Sequence, residues 1–179
     1  MSNQLIDPFG RSVEYIRLSV TDRCDLRCFY CLPGDYRDFQ EPEEWLTFDE
    51  IERIIRAFAS LGVQRLRVTG GEPLVRKNLP ALVMQLSRIN GIEDLSLSTN
   101  AVSLARQAED LKTAGISRIN VSLDSLRPER FKDITRGNLD KVINGLMTAK
   151  AAGFSPIKIN MVVMKGVNDD EIEDMIEFC

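Results

Sequence analysis

Three of the four cysteines in the 179-residue chain fall in one short run, Cys24-Asp-Leu-Arg-Cys28-Phe-Tyr-Cys31. Clustering of this kind marks a site and not the dispersed spacing of a disulfide framework. Three thiolates can hold three irons of a cubane and leave the fourth open to an outside ligand, whereas electron-transfer clusters ordinarily use four cysteines. A structural zinc site is the competing reading. It wants four ligands, and the chain has no histidine, so the remaining candidates are Cys179 or a carboxylate such as Asp22 or Asp25. Cys179 lies far along the sequence and reads most simply as a packing cysteine on an apolar helix face. Three unconnected buried cysteines fit poorly with a loop made polar by Arg23, Asp25 and Arg27. The lack of histidine also removes Ser–His–Asp and Cys–His catalysis.

A second candidate is Thr69-Gly-Gly-Glu-Pro73. Its adjacent glycines, Gly70 and Gly71, would let backbone come close to a ligand that a Cβ excludes. Glu72 adds a carboxylate able to accept from an ammonium. Taken alone, the segment is equally a tight turn between a strand and a helix.

These residues need a scaffold, and the hydrophobic pattern supplies one. Ile16, Leu18 and Val20 alternate with Tyr15, Arg17, Ser19 and Thr21, which predicts a strand ending where the cysteine loop begins. An acidic, Pro-containing stretch follows. Thr47-Phe-Asp-Glu50 fits a capping box for a helix running to about residue 61, with Gly62 placed to stop it. Strands are then expected at 65–69, 95–99, 117–123 and 157–164. Between and after them, helices are expected from about 79, over 103–114, from about 139, and from Asn168-Asp-Asp-Glu171. Alternation of this kind predicts an α/β fold with a parallel sheet and right-handed crossovers.

A parallel sheet covered by helices on both faces should read as continuous apolar runs. These strands instead alternate: Arg65, Arg67 and Thr69 with Leu66 and Val68; Ser96, Ser98 and Asn100 with Leu95 and Leu97; Asn120, Ser122 and Asp124 with Ile119, Val121 and Leu123; Lys158 and Asn160 with Ile157 and Ile159. One face meets helices and the other something polar. The pattern favours a partial (β/α) TIM-like barrel with a polar lumen over a doubly wound sheet. About five β/α units are present where a closed barrel has eight, and residues 169–179 read as an amphipathic helix with no cap, so a further C-terminal region is expected. Residues 1–179 read as one domain, with no second domain present.

Composition narrows the setting. At 44% hydrophobic and 28% charged residues, the chain resembles a soluble protein with one substantial core. No apolar run approaches the roughly 20 residues of a membrane span, and the start shows neither basic flank nor apolar leader, so a cytoplasmic address with no membrane is expected. A net charge of −4 argues against tracking a nucleic-acid backbone, yet leaves room for a phosphate-bearing small molecule. An uncovered sheet edge would offer a route to a homodimer.

The C-x3-C-x2-C run, with Phe29-Tyr30 before its last cysteine, closely resembles the signature of the radical S-adenosylmethionine (SAM) superfamily. That resemblance implies a [4Fe–4S] cluster on Cys24, Cys28 and Cys31 and SAM on the open iron. An electron from an external donor then cleaves SAM to a 5′-deoxyadenosyl radical. Thr69–Pro73 looks like the superfamily's G-G-E-P motif, which contacts the SAM amino group. Asp7-Pro-Phe-Gly-Arg11, Arg17–Cys24, Thr69–Arg76, Asn120-Val-Ser-Leu-Asp-Ser125, Thr135-Arg-Gly137 and Met164-Lys-Gly-Val-Asn-Asp169 together resemble its GTP-cyclising branch, which serves molybdenum cofactor biosynthesis.

In that branch the radical takes hydrogen from the GTP ribose and the sugar radical closes onto C8 of guanine. The resemblance implies Tyr30, Gly71 and Ser122 for SAM, and Arg17, Arg67, Ser98 and Lys158 for GTP. The branch generally has Thr-Thr-Asn where this chain has Ser98-Thr-Asn100, so Ser98 and Thr99 both stand as substrate ligands. It also carries a second, C-terminal cluster that binds guanine. Cys179 does not supply that motif, so this stretch is expected to hold the radical-generating elements and lack half of the GTP site. The alternatives are a radical SAM enzyme with another substrate and a non-catalytic, zinc-stabilised domain.

Overall fold

The computed structural model describes residues 4–31, 33 and 35–179. Positions 1–3, the beginning of the start read above as lacking a leader, lie outside the described residues. Five strands, β1 (Tyr15–Ser19), β2 (Arg65–Thr69), β3 (Asp94–Thr99), β4 (Arg118–Ser122) and β5 (Ile157–Asn160), make one sheet in sequence order. Every pairing is parallel. A strand order without reversal, combined with right-handed crossovers, puts all the connecting helices on one side. A doubly wound sheet would reverse its order partway. The structure is the barrel segment that the alternating strands predict.

Register makes the polar face continuous. Arg17 pairs with Arg67 and Arg67 with Ser96; Ser98 pairs with Asn120 and Asn120 with Lys158. Partners in a parallel ladder project to the same face, and so do residues two apart on one strand. The alternate residues Leu66, Val68, Leu95, Leu97, Ile119 and Val121 are buried in one core with the inner sides of the helices.

Local chemistry sets the helix ends. In α1 (Phe48–Ser60), the Glu50 amide donates to Thr47 Oγ1 and the Thr47 amide to Glu50 Oε2 at 2.8 Å, the capping box expected. Gly62 ends the segment at φ +93°, a left-handed conformation that costs glycine little. Helix α2 (Leu79–Ser87) buries Leu79, Leu82, Val83 and Leu86. In α5 (Leu139–Ala151), Asn138 accepts from the Lys141 amide. No described helix is long and apolar enough to cross a membrane.

Four local expectations are corrected. The helix expected over 103–114 is a 3-10 turn, Leu104–Arg106, followed by α3 (Ala108–Ala114). Gln107 turns the chain between them and donates from Nε2 to the Leu74 carbonyl, while Leu104 is fully buried. Residues 128–135, not expected to be helical, form α4 (Pro128–Thr135) with Pro128 in its first turn and Phe131 and Ile134 buried. The strand expected over 157–164 stops at Asn160 because backbone beyond it turns to side chains: Val162 N–H donates to Asp124 and Met164 N–H to Asn168. Cys179 is exposed instead of packed. It follows α6 (Ile172–Phe178), where Met175 is buried but Ile176 and Phe178 face outward.

Helix α5 sits hard against the loop after β3. A Cβ on Gly145 would lie 2.4 Å from the Ala101 carbonyl oxygen, a backbone atom that cannot step aside. Gly145→Ala is expected to lower the unfolding free energy by about 1–3 kcal/mol, the usual cost of overpacking, read by urea denaturation of this chain.

Candidate active site

A cavity of about 390 Å³ opens at the carboxyl ends of the strands. It brings together Cys24, Cys28, Tyr30 and Cys31 from the first loop, Gly70, Gly71 and Glu72 from the second, Arg17, Arg67, Ser98 and Ser122 from the polar strand face, and Thr99. Lys158 is not in its wall. It is exposed on the edge strand β5, paired with Asn120 on the same polar row.

The cysteine loop is held on two sides. On one, the Gly71 amide donates to the Thr21 carbonyl and the Glu72 amide to the Arg23 carbonyl, both at 2.8 Å. A Cβ on Gly70 would lie 2.6 Å from Thr21 O, and one on Gly71 2.4 Å from Arg23 O. The diglycine therefore admits the cysteine loop's own backbone, not only a ligand as expected from sequence. On the other side, the Arg27 and Phe29 amides donate to the Thr135 and Ile134 carbonyls. Gly137 makes room for Leu26, whose Cδ2 would lie 2.5 Å from an added Cβ. Arg76 closes the base: its guanidinium donates to the Val20 and Leu46 carbonyls and lies 5.4 Å from the Trp45 ring and 5.0 Å from the Phe48 ring.

Glu72 departs from its expected part. It is 1% exposed, and its carboxylate accepts from the Leu74 amide at 3.1 Å, the Thr99 hydroxyl at 2.7 Å and the Asn100 amide at 2.6 Å. It braces the second loop against the end of β3, with little left over for an ammonium. Burial pushes the carboxyl up to about 7, although those hydrogen bonds pull the other way. Thr99 is committed to the same brace and also accepts from the Ala101 amide. Ser98 is half-buried on the cavity wall, and its hydroxyl has no hydrogen bond to a described residue. Of the two, Ser98 has the free hydroxyl.

Two residues at the strand ends were not singled out by sequence. Asn100 donates from Nδ2 to Asp25 Oδ1 at 2.7 Å and to Cys24 Sγ at 3.7 Å. Asp124, 3% exposed, accepts from the Tyr30 hydroxyl at 2.5 Å. The sequence signal for both was their place on the polar face of β3 and β4, which says nothing about the partner.

The thiols fit a cluster. Burial raises both Cys24 and Cys28, Cys28 to about 11, and the Glu72 and Asp25 carboxylates push Cys24 further up. Thiolates disfavoured in this way are stabilised when they bind a cationic metal. The Leu26 amide, 3.4 Å from Cys24 Sγ, and Asn100 add donors to one sulfur. Among the described residues no three His, Cys, Asp or Glu side chains converge as they would on one metal ion. A cubane does not ask for that convergence, because each thiolate takes a separate iron.

The basic groups are distributed unevenly along the polar face. Toward the amino ends of the strands, Arg65 is paired with Glu14 and Arg118 with Asp94. Arg17 and Arg67 on the cavity wall, and Lys158 outside it, have no carboxylate partner among the described residues. Arg67 is held nonetheless. With its amide turned so that Oδ1 faces the guanidinium, Asn120 accepts from Arg67 at 2.9 Å, and the Tyr15 ring lies 5.4 Å away.

Residues 18–179 match the radical SAM superfamily, and the chain belongs to it. The [4Fe–4S] cluster and SAM of that superfamily are the cofactors this site fits. Among curated proteins, the chain is 54% identical over 97% of its length to GTP 3′,8-cyclase of Hydrogenovibrio crunogenus, and 51% identical over 99% to GTP 3′,8-cyclase of Ectopseudomonas mendocina. It spans about half the length of these relatives, 53% and 54%. Among solved structures, Streptococcus suis SuiB bound to S-adenosylmethionine superposes with a TM-score of 0.78 at 22% identity, over 93% of this chain and 37% of that one. Methylornithine synthase (PylB) gives 0.69 at 17% identity, over 90% and 47%. These two share the fold.

Two outcomes follow from the packing. Gly71→Ala is expected to leave helix content intact but weaken iron retention against a chelator by about 10-fold or more, the scale of losing a metal site's supporting shell. For Glu72, the folded carboxyl sits above its unfolded value, so the folded chain binds the extra proton. Its contribution to stability is present below the unfolded value of 4.5 and is lost as pH rises through about 7. Urea midpoints of the metal-free chain should fall across that window, and Glu72→Gln should flatten the slope.

Proposed function

We propose that the protein is a GTP 3′,8-cyclase that uses SAM and a [4Fe–4S] cluster, fed by an external electron donor, to convert GTP to (8S)-3′,8-cyclo-7,8-dihydroguanosine 5′-triphosphate. The observation that carries the substrate is the pair of cations on the cavity wall, Arg17 and Arg67, without carboxylate partners among the described residues, with Lys158 exposed on the polar face of β5. A triphosphate answers that charge. The relatives with about half of their residues identical carry this name, and the stretch in hand supplies the part of the site that makes the radical.

When bound, the cluster supplies the electron that cleaves SAM to methionine and a 5′-deoxyadenosyl radical. The protein's own residues do the rest by position. Cys24, Cys28 and Cys31 hold the cluster on a loop anchored by Gly70, Gly71 and Glu72. Tyr30, Gly71 and Ser122 line the space assigned to SAM. Arg67, fixed by Asn120, offers its guanidinium fork to phosphate oxygens, which Arg can bind bidentately. Arg17 pairs with Arg67 in register, Lys158 adds a charge beside Asn120 on the next row, and Ser98 supplies a hydroxyl. Hydrogen transfer from ribose needs the radical carbon held against one C–H, with other donors kept away. Orientation by a fixed polar wall meets that need.

The reading is tested in a chain of the relatives' full length. After anaerobic reconstitution, dithionite should drive formation of 5′-deoxyadenosine, and GTP should be converted to the 3′,8-cyclised triphosphate. SAM cleavage without any change in GTP would move the chain to another radical SAM substrate. One bound zinc with no iron absorbance would remove the reading. Arg67→Ala is expected to weaken GTP binding by about 10–100-fold, the range for deleting a charged hydrogen-bond partner.

Serine and threonine can be separated in the same assay. Ser98→Ala should weaken GTP binding without moving the unfolding midpoint. Thr99→Ala should instead lower stability by about 1–3 kcal/mol, because it strips a donor from buried Glu72.

A further inference from the structure

The end of β4 carries a buried carboxylate that the site as described does not use. Asp124 is 3% exposed and forms no ion pair among the described residues. A buried anion with no cation is costly unless hydrogen bonds hold it. Its two oxygens point in different directions. Oδ1 accepts from the Val162 amide at 2.9 Å, just beyond β5; Oδ2 accepts from the Tyr30 hydroxyl at 2.5 Å, in the cysteine loop 94 residues away in sequence.

The backbone of Asp124 is fixed as firmly as its side chain. Asn168, fully buried, donates from Nδ2 to the Asp124 carbonyl at 2.7 Å and to the Val162 carbonyl at 3.0 Å, and its Oδ1 accepts from the Met164 amide at 2.7 Å. Asp124, Val162 and Asn168 therefore make a small rigid frame across the exits of β4 and β5. Tyr30 hangs from this frame by one bond. Tyr30 is otherwise 42% exposed.

We propose that Asp124 is a positioning residue: through the Tyr30 hydroxyl it ties the cysteine loop to the far side of the barrel segment and so sets how the cluster end of the site faces SAM. Apart from this bond, the span from Cys28 to Cys31 reaches that side only through the Phe29 amide, which donates to the Ile134 carbonyl in α4 and leaves the Tyr30 side chain unheld. A charge-assisted O–H···O⁻ bond is short, directional and stronger than a neutral one. It fixes an aromatic side chain that solvent exposure alone would leave free. The proposal rests on membership of the radical SAM superfamily and not on the identity of the substrate, so it survives a failure of the GTP reading.

The test uses the full-length, anaerobically reconstituted protein with three variants, Tyr30→Phe, Asp124→Ala and Asp124→Asn, and the double variant Tyr30→Phe/Asp124→Ala. The readouts are the change in the electron paramagnetic resonance spectrum of the reduced cluster when SAM is added, and the SAM dissociation constant. Asparagine keeps the frame: Oδ1 still accepts from Val162, and its amide donates to the Tyr30 oxygen. Tyr30→Phe and Asp124→Ala are expected to alter the SAM-induced spectrum and weaken SAM binding by about 10-fold each, with the double variant no worse than the weaker single, as for two ends of one interaction. Asp124→Asn should stay within about threefold of wild type.

A Tyr30→Phe protein with wild-type spectrum and affinity would overturn the proposal, since Asp124 would then act only through Val162. So would an Asp124→Asn protein as impaired as Asp124→Ala, which would make charge and not position the operative property. If Asp124→Ala does not fold, Tyr30→Phe and Asp124→Asn decide the question between them.

Discussion

The site depends on one close approach, in which the backbone of the cysteine loop runs against that of the diglycine turn. At Gly71 the clearance leaves no room for a single methyl group, and two amide-to-carbonyl hydrogen bonds span the gap. A loop that carries Cys24 and Cys28, both disfavoured as thiolates by burial, and an exposed Cys31 would not hold one shape by its own packing. It borrows rigidity from the ends of β1 and β2, which neighbour each other in the sheet. From there the order propagates: Glu72 follows the diglycine, reaches Thr99 and Asn100 at the end of β3, and Asn100 returns a donor to Asp25 and Cys24. Three adjacent strand ends are thus closed into one circuit of hydrogen bonds around the first cysteine.

The sheet contributes a second constraint, which concerns charge. Parallel register stacks polar residues row upon row, and a row of cations facing itself would be repulsive unless something intervened. At the amino ends Glu14 and Asp94 intervene. No described carboxylate pairs with Arg17, Arg67 or Lys158, and Arg67 is held by a neutral amide and an aromatic ring. Holding a guanidinium without neutralising it fixes its direction and leaves its charge available. The same polar alternation therefore makes a structural seam where carboxylates meet its cations and leaves charge available where none does.

How much of this the sequence revealed depends on the range of the interaction. Alternation at spacing two identified all five strands and the face on which Arg17, Arg67, Ser98, Ser122 and Lys158 lie, because the pleat alone determines which way those residues point. The Thr47–Glu50 capping box and Gly62 were legible because they act within one turn. Helix α4 was not, since Phe131 and Ile134 are too few apolar residues in eight to show a period. The break at Gln107 goes with a hydrogen bond to the Leu74 carbonyl, 33 residues back along the chain. The partners of Gly71, Asn100 and Asp124 lie roughly 50 to 94 residues distant along the chain, and no local pattern encodes such a pairing. Glu72 is the instructive case: a motif carboxylate suggested a ligand contact, whereas its surroundings turn it inward as a brace.

The buried carboxylates at the strand ends divide by what neutralises them, and the division follows their place around the site. Glu171, fully buried, is met by the Ser125 hydroxyl, the Leu126 amide and the Arg130 guanidinium, and Arg130 and Arg127 also pair with Asp170. It fastens the turn before α6 to the loop after β4, outside the cavity wall. Glu72 and Asp124 have no such cation and rely on amides and hydroxyls. A positive side chain beside either would sit at the wall of the cavity close to the cysteine loop, where it would compete for the thiolates that would hold a cluster. Bracing these loops with neutral donors alone keeps their geometry fixed and leaves cationic charge to the polar strands, where Arg17 and Arg67 line the cavity.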